Sequence, residues 1–200
     1  MNQSVTATET QAIDHKNFFY PPGGILLWII ILLELLTFGI ALIIMAYTSL
    51  SEKEIFHETA AKLNAVYGTV NTIVLLTSGY FMAICVKQFK LKNYEKSKRF
   101  LYFTQATGLL FIIVKSVEYY HKIAEGLTLG YNTFMDFYWL LTGFHLVHVI
   151  VGMVILIGIY ISGKKKNHDE AALNLESGAA FWHLCDLIWL ILFPVLYLIF

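Results

Sequence analysis

Hydrophobic residues in this chain come in long blocks rather than in alternation. Apolar runs occupy about residues 25–47, 66–89, 100–120, 133–161 and 179–200, with short polar stretches between them. Each run supplies the roughly 20 residues that a helix needs to cross a hydrocarbon layer about 30 Å thick. None alternates with the period of two that marks a strand. The pattern predicts an all-α polytopic membrane protein, a five-helix transmembrane bundle over residues 23–200 behind a polar N-terminal segment at 1–22. Pro21 and Pro22 suit a first helical turn, where a missing N–H goes unnoticed. Gly126 and Gly130 break the chain between the third and fourth spans. On the second span Gly68, Thr72, Gly79 and Ala83 recur at helical spacing, a small-residue stripe that lets another backbone come close.

Composition sharpens this picture. The chain is 58% hydrophobic and 14% charged, whereas soluble domains carry about 25% charged residues. Acids and bases balance at 14 each, so no global charge points to nucleic acid. Cys85 and Cys185 lie inside apolar runs without metal-ligand spacing and read as packed thiols. The first twenty residues lack a basic start followed by an apolar core, so no cleavable signal peptide is expected. The bases are unevenly shared. Lys16, then Lys87, Lys90, Lys92, Lys96, Lys98 and Arg99, then Lys164, Lys165 and Lys166 fall on one side of a five-span topology; only Lys53, Lys62 and Lys122 fall on the other. Lys and Arg collect on the cytoplasmic side, which places the N-terminus inside and the C-terminus outside.

The candidate chemistry is a short set of ionisable residues within the spans. By depth, Glu34, His145 and His148 lie near mid-membrane, and His183 and Asp186 on the inner half of the last span. His145 with His148, and His183 with Asp186, are three residues apart and share a helix face. A charge facing lipid at the centre of a span costs roughly 2.5–3.5 kcal/mol, so these faces are expected to turn inward. A carboxylate near an imidazole, as Asp186 is to His183, can share a proton or form an ion pair, either of which lowers the cost of burying both. Glu118 and Asp136, near the outer ends of consecutive spans, are expected to meet each other, while Lys115 and Lys87 snorkel to an interface. Gly152, one turn from His148, leaves room for a neighbouring helix, and Trp182, Asp186, Trp189, Phe193 and Tyr197 form a packing stripe.

Three chemical classes use such residues. Di-iron bundles need two Glu-x-x-His motifs and two further glutamates, and of the glutamates within the spans only Glu118, with His121, has that form. A bis-histidine haem site needs ligands at equal depth on facing helices. A stand-alone proton pathway would use the same residues as a relay, but the paired broken helices of transporters are missing.

The residues also resemble a known family, subunit III of the haem–copper oxidases. Gly143-Phe144-His145 with His148-Val149-Ile150-Val151-Gly152 is similar to its Gly-Phe-His-x-x-His-Val-x-x-Gly signature. Glu176 followed by Trp182-His183, Asp186 and Trp189 resembles its last-span motif, Trp-His-x-x-Asp-x-x-Trp. Ser116-Val117-Glu118-Tyr119-Tyr120 resembles the end of another family helix, and Glu34 falls where the family places an intramembrane carboxylate. The resemblance implies a non-catalytic accessory subunit in a prokaryotic plasma or inner membrane, contacting membrane lipids, a catalytic subunit I and a subunit II. It implies no cofactor or metal in this chain, the haem and copper residing in the partner, and support of proton uptake during aerobic electron transport. Glu34, Glu118, His145, His148, His183 and Asp186 would be internal, proton-linked polar contacts, with no catalytic residue. Five spans depart from the family's seven, as in quinol oxidases and the subunit associated with nitric oxide reductase. A nitric oxide reductase accessory subunit is therefore one alternative. A proton pathway or small membrane metalloenzyme is the alternative of another class.

Overall fold

In the structure, a computed structural model that describes residues 24–163 and 167–200, every regular element is a helix. These are α1 (Gly24–Ser51), α2 (Lys53–Ala60), α3 (Ala65–Lys90), α4 (Tyr94–Ala124), α5 (Thr133–Gly163) and α6 (His168–Tyr197). All but α2 are long and apolar enough to cross a membrane. The expected polar segment at 1–22 and Lys164, Lys165 and Lys166 lie outside the described residues.

Local chemistry sets the helix ends. The Asn64 side chain caps α3 by accepting from Val66 N at 3.0 Å. Helix α4 closes with Gly126 at φ +76°, Leu127 N donating to Lys122 O and Gly126 N to Ile123 O. This crossed pair of bonds satisfies the last carbonyls, and only glycine reaches that φ without strain. The buried Leu127 completes it. The turn from α3 to α4 uses the same pair of bonds around Lys92 at φ 60°.

Helix extends beyond the apolar runs in two places. Helix α6 starts at His168 rather than near residue 179, with Asp169 and Glu170 in its first turn complementing the helix dipole. Its added turns are tied to α3 by the Lys90–Glu176 ion pair. The polar stretch between α1 and α3 contains α2, whose Phe56 packs edge-on against Phe134 and Phe200.

Helix α6 is the centre of the bundle and the most buried spanning helix. It packs against α5 on one side and α3 on the other, while α4 backs α3 and α1 leans more lightly on α5 and α6. The small-residue stripe of α3 explains one of these contacts. Gly68 meets Phe193 and Tyr197, Thr72 accepts from Trp189 Nε1 at 3.0 Å, and Gly79 lies against Asp186 and His183. Ala83, the fourth member, faces outward.

Candidate functional site: polar clusters within the bundle

The first cluster joins α4, α5 and α6 towards their α2-side ends. Lys115 and Glu118 have no exposed surface, and Lys115 Nζ donates to Glu118 Oε2 at 3.0 Å, to Tyr138 Oη at 3.2 Å and to Tyr197 Oη at 2.8 Å. Those three bonds use every donor of the ammonium. Tyr138 and Tyr197 in turn donate to Glu118 Oε1 at 2.8 and 2.6 Å. The rings of Tyr119, Tyr138, Trp189 and Tyr197 stand 4.8–5.5 Å from Nζ, a cation–π enclosure. The knot is closed, electrically neutral and fully satisfied. It can hold three helices together and has no free donor with which to bind anything else.

This geometry corrects two expectations. Lys115 does not snorkel, because Glu118 one turn away and two tyrosines from other helices satisfy it in place. Glu118 does not pair with Asp136, whose Oδ1 accepts instead from Gly130 N at 2.6 Å and closes the loop before α5. The i, i+3 spacing of Lys115 and Glu118 was a readable signal. The tyrosines, 20 and 79 positions beyond Glu118, were not.

The second cluster lies between α1 and α5. His148 Nε2 is 3.0 Å from Glu34 Oε2, at ion-pair distance but off the line a hydrogen bond needs. Its Nδ1 donates to Phe144 O at 2.7 Å, which fixes the ring, and Phe38 and Phe144 flank it. Beside the pair, a mostly apolar cleft of about 340 Å³ opens between Ile30 of α1, Val151 and Ile155 of α5, and Phe181 of α6.

His145 belongs to neither cluster, although it lies one turn from His148. It is fully buried, donates from Nε2 to Cys185 O at 3.0 Å, and packs between Phe111 and Trp189. Trp189 connects it to the lysine knot. Its Nδ1 and both side-chain polar atoms of the buried Asn71 have no hydrogen-bond partner among the described residues. Asn71 carries no motif that would have drawn notice in the sequence.

The last pair is looser than expected. His183 Nδ1 stands 3.5 Å from Asp186 Oδ2, and the His183 side chain is 45% exposed. Expected to turn inward, His183 instead lies on the outer edge of α6, because Asp186 occupies the inner position against Gly79. The packing residues sit as the stripe predicts. Trp182 fills a slot bounded by Gly108 and Gly152, and Trp189 bonds Thr72. Cys85 and Cys185 are free, buried thiols. His145, His148 and His183 thus sit at three separate contacts, and among the described residues no three His, Cys, Asp or Glu side chains gather as a metal-binding group.

Residues 62–199 match the family model described as "Cytochrome c oxidase subunit III". The chain is 29% identical over 137 residues to the cytochrome c oxidase subunit 3 of Thermostichus vulcanus, covering 66% of this chain and 65% of the relative. It is 31% identical over 136 residues to the probable cytochrome c oxidase subunit 3 of Rickettsia prowazekii (strain Madrid E), covering 65% and 47%. Against the cytochrome c oxidase subunit 3 of Synechocystis sp. (strain ATCC 27184 / PCC 6803 / Kazusa) it is 27% identical over 146 residues, covering 71% and 60%. The matched stretch therefore spans between about half and just under two thirds of these relatives.

Proposed function

The chain belongs to the cytochrome c oxidase subunit III family, and from that premise we propose that it is a non-catalytic accessory subunit of a respiratory haem–copper terminal oxidase. The observation that carries this reading is the state of the intramembrane polar residues. Lys115, Glu118, Tyr138 and Tyr197 spend their hydrogen-bonding capacity on one another, and His145 is held by a backbone carbonyl. Such residues fasten helices and leave no open constellation for chemistry. The partner is a haem- and copper-bearing subunit I with a subunit II, and the chain itself holds no redox centre.

Glu34 with His148 is the proton-linked element of this reading. Of the intramembrane pairs it is the one beside an open cleft, and it links lightly packed α1 to the rest. Membrane lipid is the second partner, an acyl chain suiting the apolar cleft. The lysines and Arg99 around the turn from α3 to α4 support a cytoplasmic N-terminus in the plasma or inner membrane assigned to the complex.

Isolation of the affinity-tagged chain from membranes tests the whole proposal. A co-purifying subunit with a haem spectrum and oxygen-reducing activity is expected; a chain that always purifies without one overturns it. Within that complex, Glu34→Ala removes one interhelical contact, worth about 0.6–1.7 kcal/mol in membrane helices. Sustained oxygen turnover is expected to decline sooner while the haem spectrum stays unchanged. An altered haem spectrum in a fully assembled complex would show that Glu34 acts on the redox centre instead. For orientation, Lys96→Cys should resist a membrane-impermeant thiol reagent in whole cells and Glu54→Cys should react. The opposite pattern would invert the topology.

A further inference from the structure

One strip of the bundle surface exposes polar groups that nothing among the described residues satisfies. His183 lies at the middle of α6, and its Nδ1 faces Asp186 Oδ2 at 3.5 Å beside Gly79. Its Nε2 has no partner among the described residues. Tyr80, adjoining Gly79 near the middle of α3, is 64% exposed, and its hydroxyl also has no hydrogen-bond partner among the described residues. The threonine and serine hydroxyls on the outside of α1, α3 and α4 behave differently. Thr37, Thr69 and Ser116 each donate to a carbonyl of their own helix at 2.8–3.0 Å, so hydrocarbon can lie against them without cost.

Hydrocarbon offers neither donor nor acceptor. An imidazole and a phenol held half-open within membrane-spanning helices are therefore mismatched to lipid and matched to a polar side chain on another helix. Around them the surface is apolar and smooth: Leu76 on α3, Leu187 and Leu190 on α6. Ala83, outward-facing on the turn after Tyr80, permits close backbone approach. The geometry points to this α3–α6 strip as the docking face for a transmembrane helix of the haem-bearing catalytic subunit, one presenting a hydrogen-bonding side chain at their level to His183 and Tyr80.

This assignment rests on the accessory-subunit reading, and its test separates the two. A photo-crosslinking residue is placed at Leu187, one turn from His183, and as a control at the outward-facing Ile113 of α4, in the complex purified through the tagged chain. Crosslinking of position 187, and not position 113, to the haem-bearing subunit is expected. In the same complex, His183→Ala should reduce haem-bearing subunit retained after a detergent wash by about three-fold, the equilibrium change of one average interhelical hydrogen bond. Tyr80→Phe, which keeps the His183–Asp186 contact, should lower retention in the same direction without moving the melting temperature of the isolated chain. Crosslinking of position 187 only to lipid or to a second copy of this chain, or equally at both positions, overturns the assignment while the co-purified haem leaves the accessory reading standing. If no haem-bearing subunit co-purifies at all, both fall.

Discussion

Replacing Lys115 with methionine should destabilise the bundle by about 3–5 kcal/mol, the range for leaving one member of a buried ion pair without its counter-ion. Glu118 would keep the two bonds from Tyr138 and Tyr197 but lose the ammonium opposite Oε2. The tyrosine hydroxyls would lose the donor that fixes them from the other side. The burial of the site makes this severe, since neither residue has exposed surface through which water could compensate. The double replacement Lys115→Met with Glu118→Gln should recover most of the loss, because a neutral amide can still bond both tyrosines. Thermal unfolding of the purified chain in detergent, followed by near-ultraviolet circular dichroism, gives the four corners of this cycle. A single Lys115→Met variant as stable as the parent would mean that the knot contributes nothing to the fold.

The knot also shows how far the sequence could be read. Apolar length alone gave five spans, because the thickness of hydrocarbon is an external ruler that hydropathy measures directly. The start of α6 escaped that ruler, since residues 168–178 are helical for reasons of capping and a distant Lys90–Glu176 contact rather than apolar content. Depth correctly grouped Glu34 with His148, because residues at one level of antiparallel helices can meet. Depth could not say that Glu34 would take His148 and leave His145 to Cys185, a choice made by how α1 lies on α5. Lys115 was misread because its long stem could equally reach an interface. Only Tyr138 and Tyr197, brought from other helices, decide the matter. His183 was misread because residues three apart share a face only approximately. Asp186 takes the inner edge of that face and His183 the outer.

Trp182 is expected to be the other position of large effect, with Trp182→Ala costing about 3 kcal/mol, the low end for a buried tryptophan. Its indole is completely buried and stands where two other helices have given up a side chain. A Cβ at Gly108 of α4 would lie 2.9 Å from the Trp182 ring, and one at Gly152 of α5 would lie 3.1 Å from it. The backbones of α4 and α5 approach each other little, so at this level, away from the lysine knot, the ring is the body through which they pack. In a bilayer the lipid tails are as apolar as the slot, and the transfer part of the loss is small. What remains is the dispersion attraction that both walls of a void would forfeit, which is why the low end of the range applies. The indole N–H has no hydrogen-bond partner among the described residues, so shape rather than bonding fixes the ring. Trp182→Phe should therefore keep most of the stability that Trp182→Ala loses. Unfolding midpoints of the two variants in mixed micelles distinguish the cases: equal losses would mean that the indole nitrogen, and not the filling of the slot, holds α4 against α5.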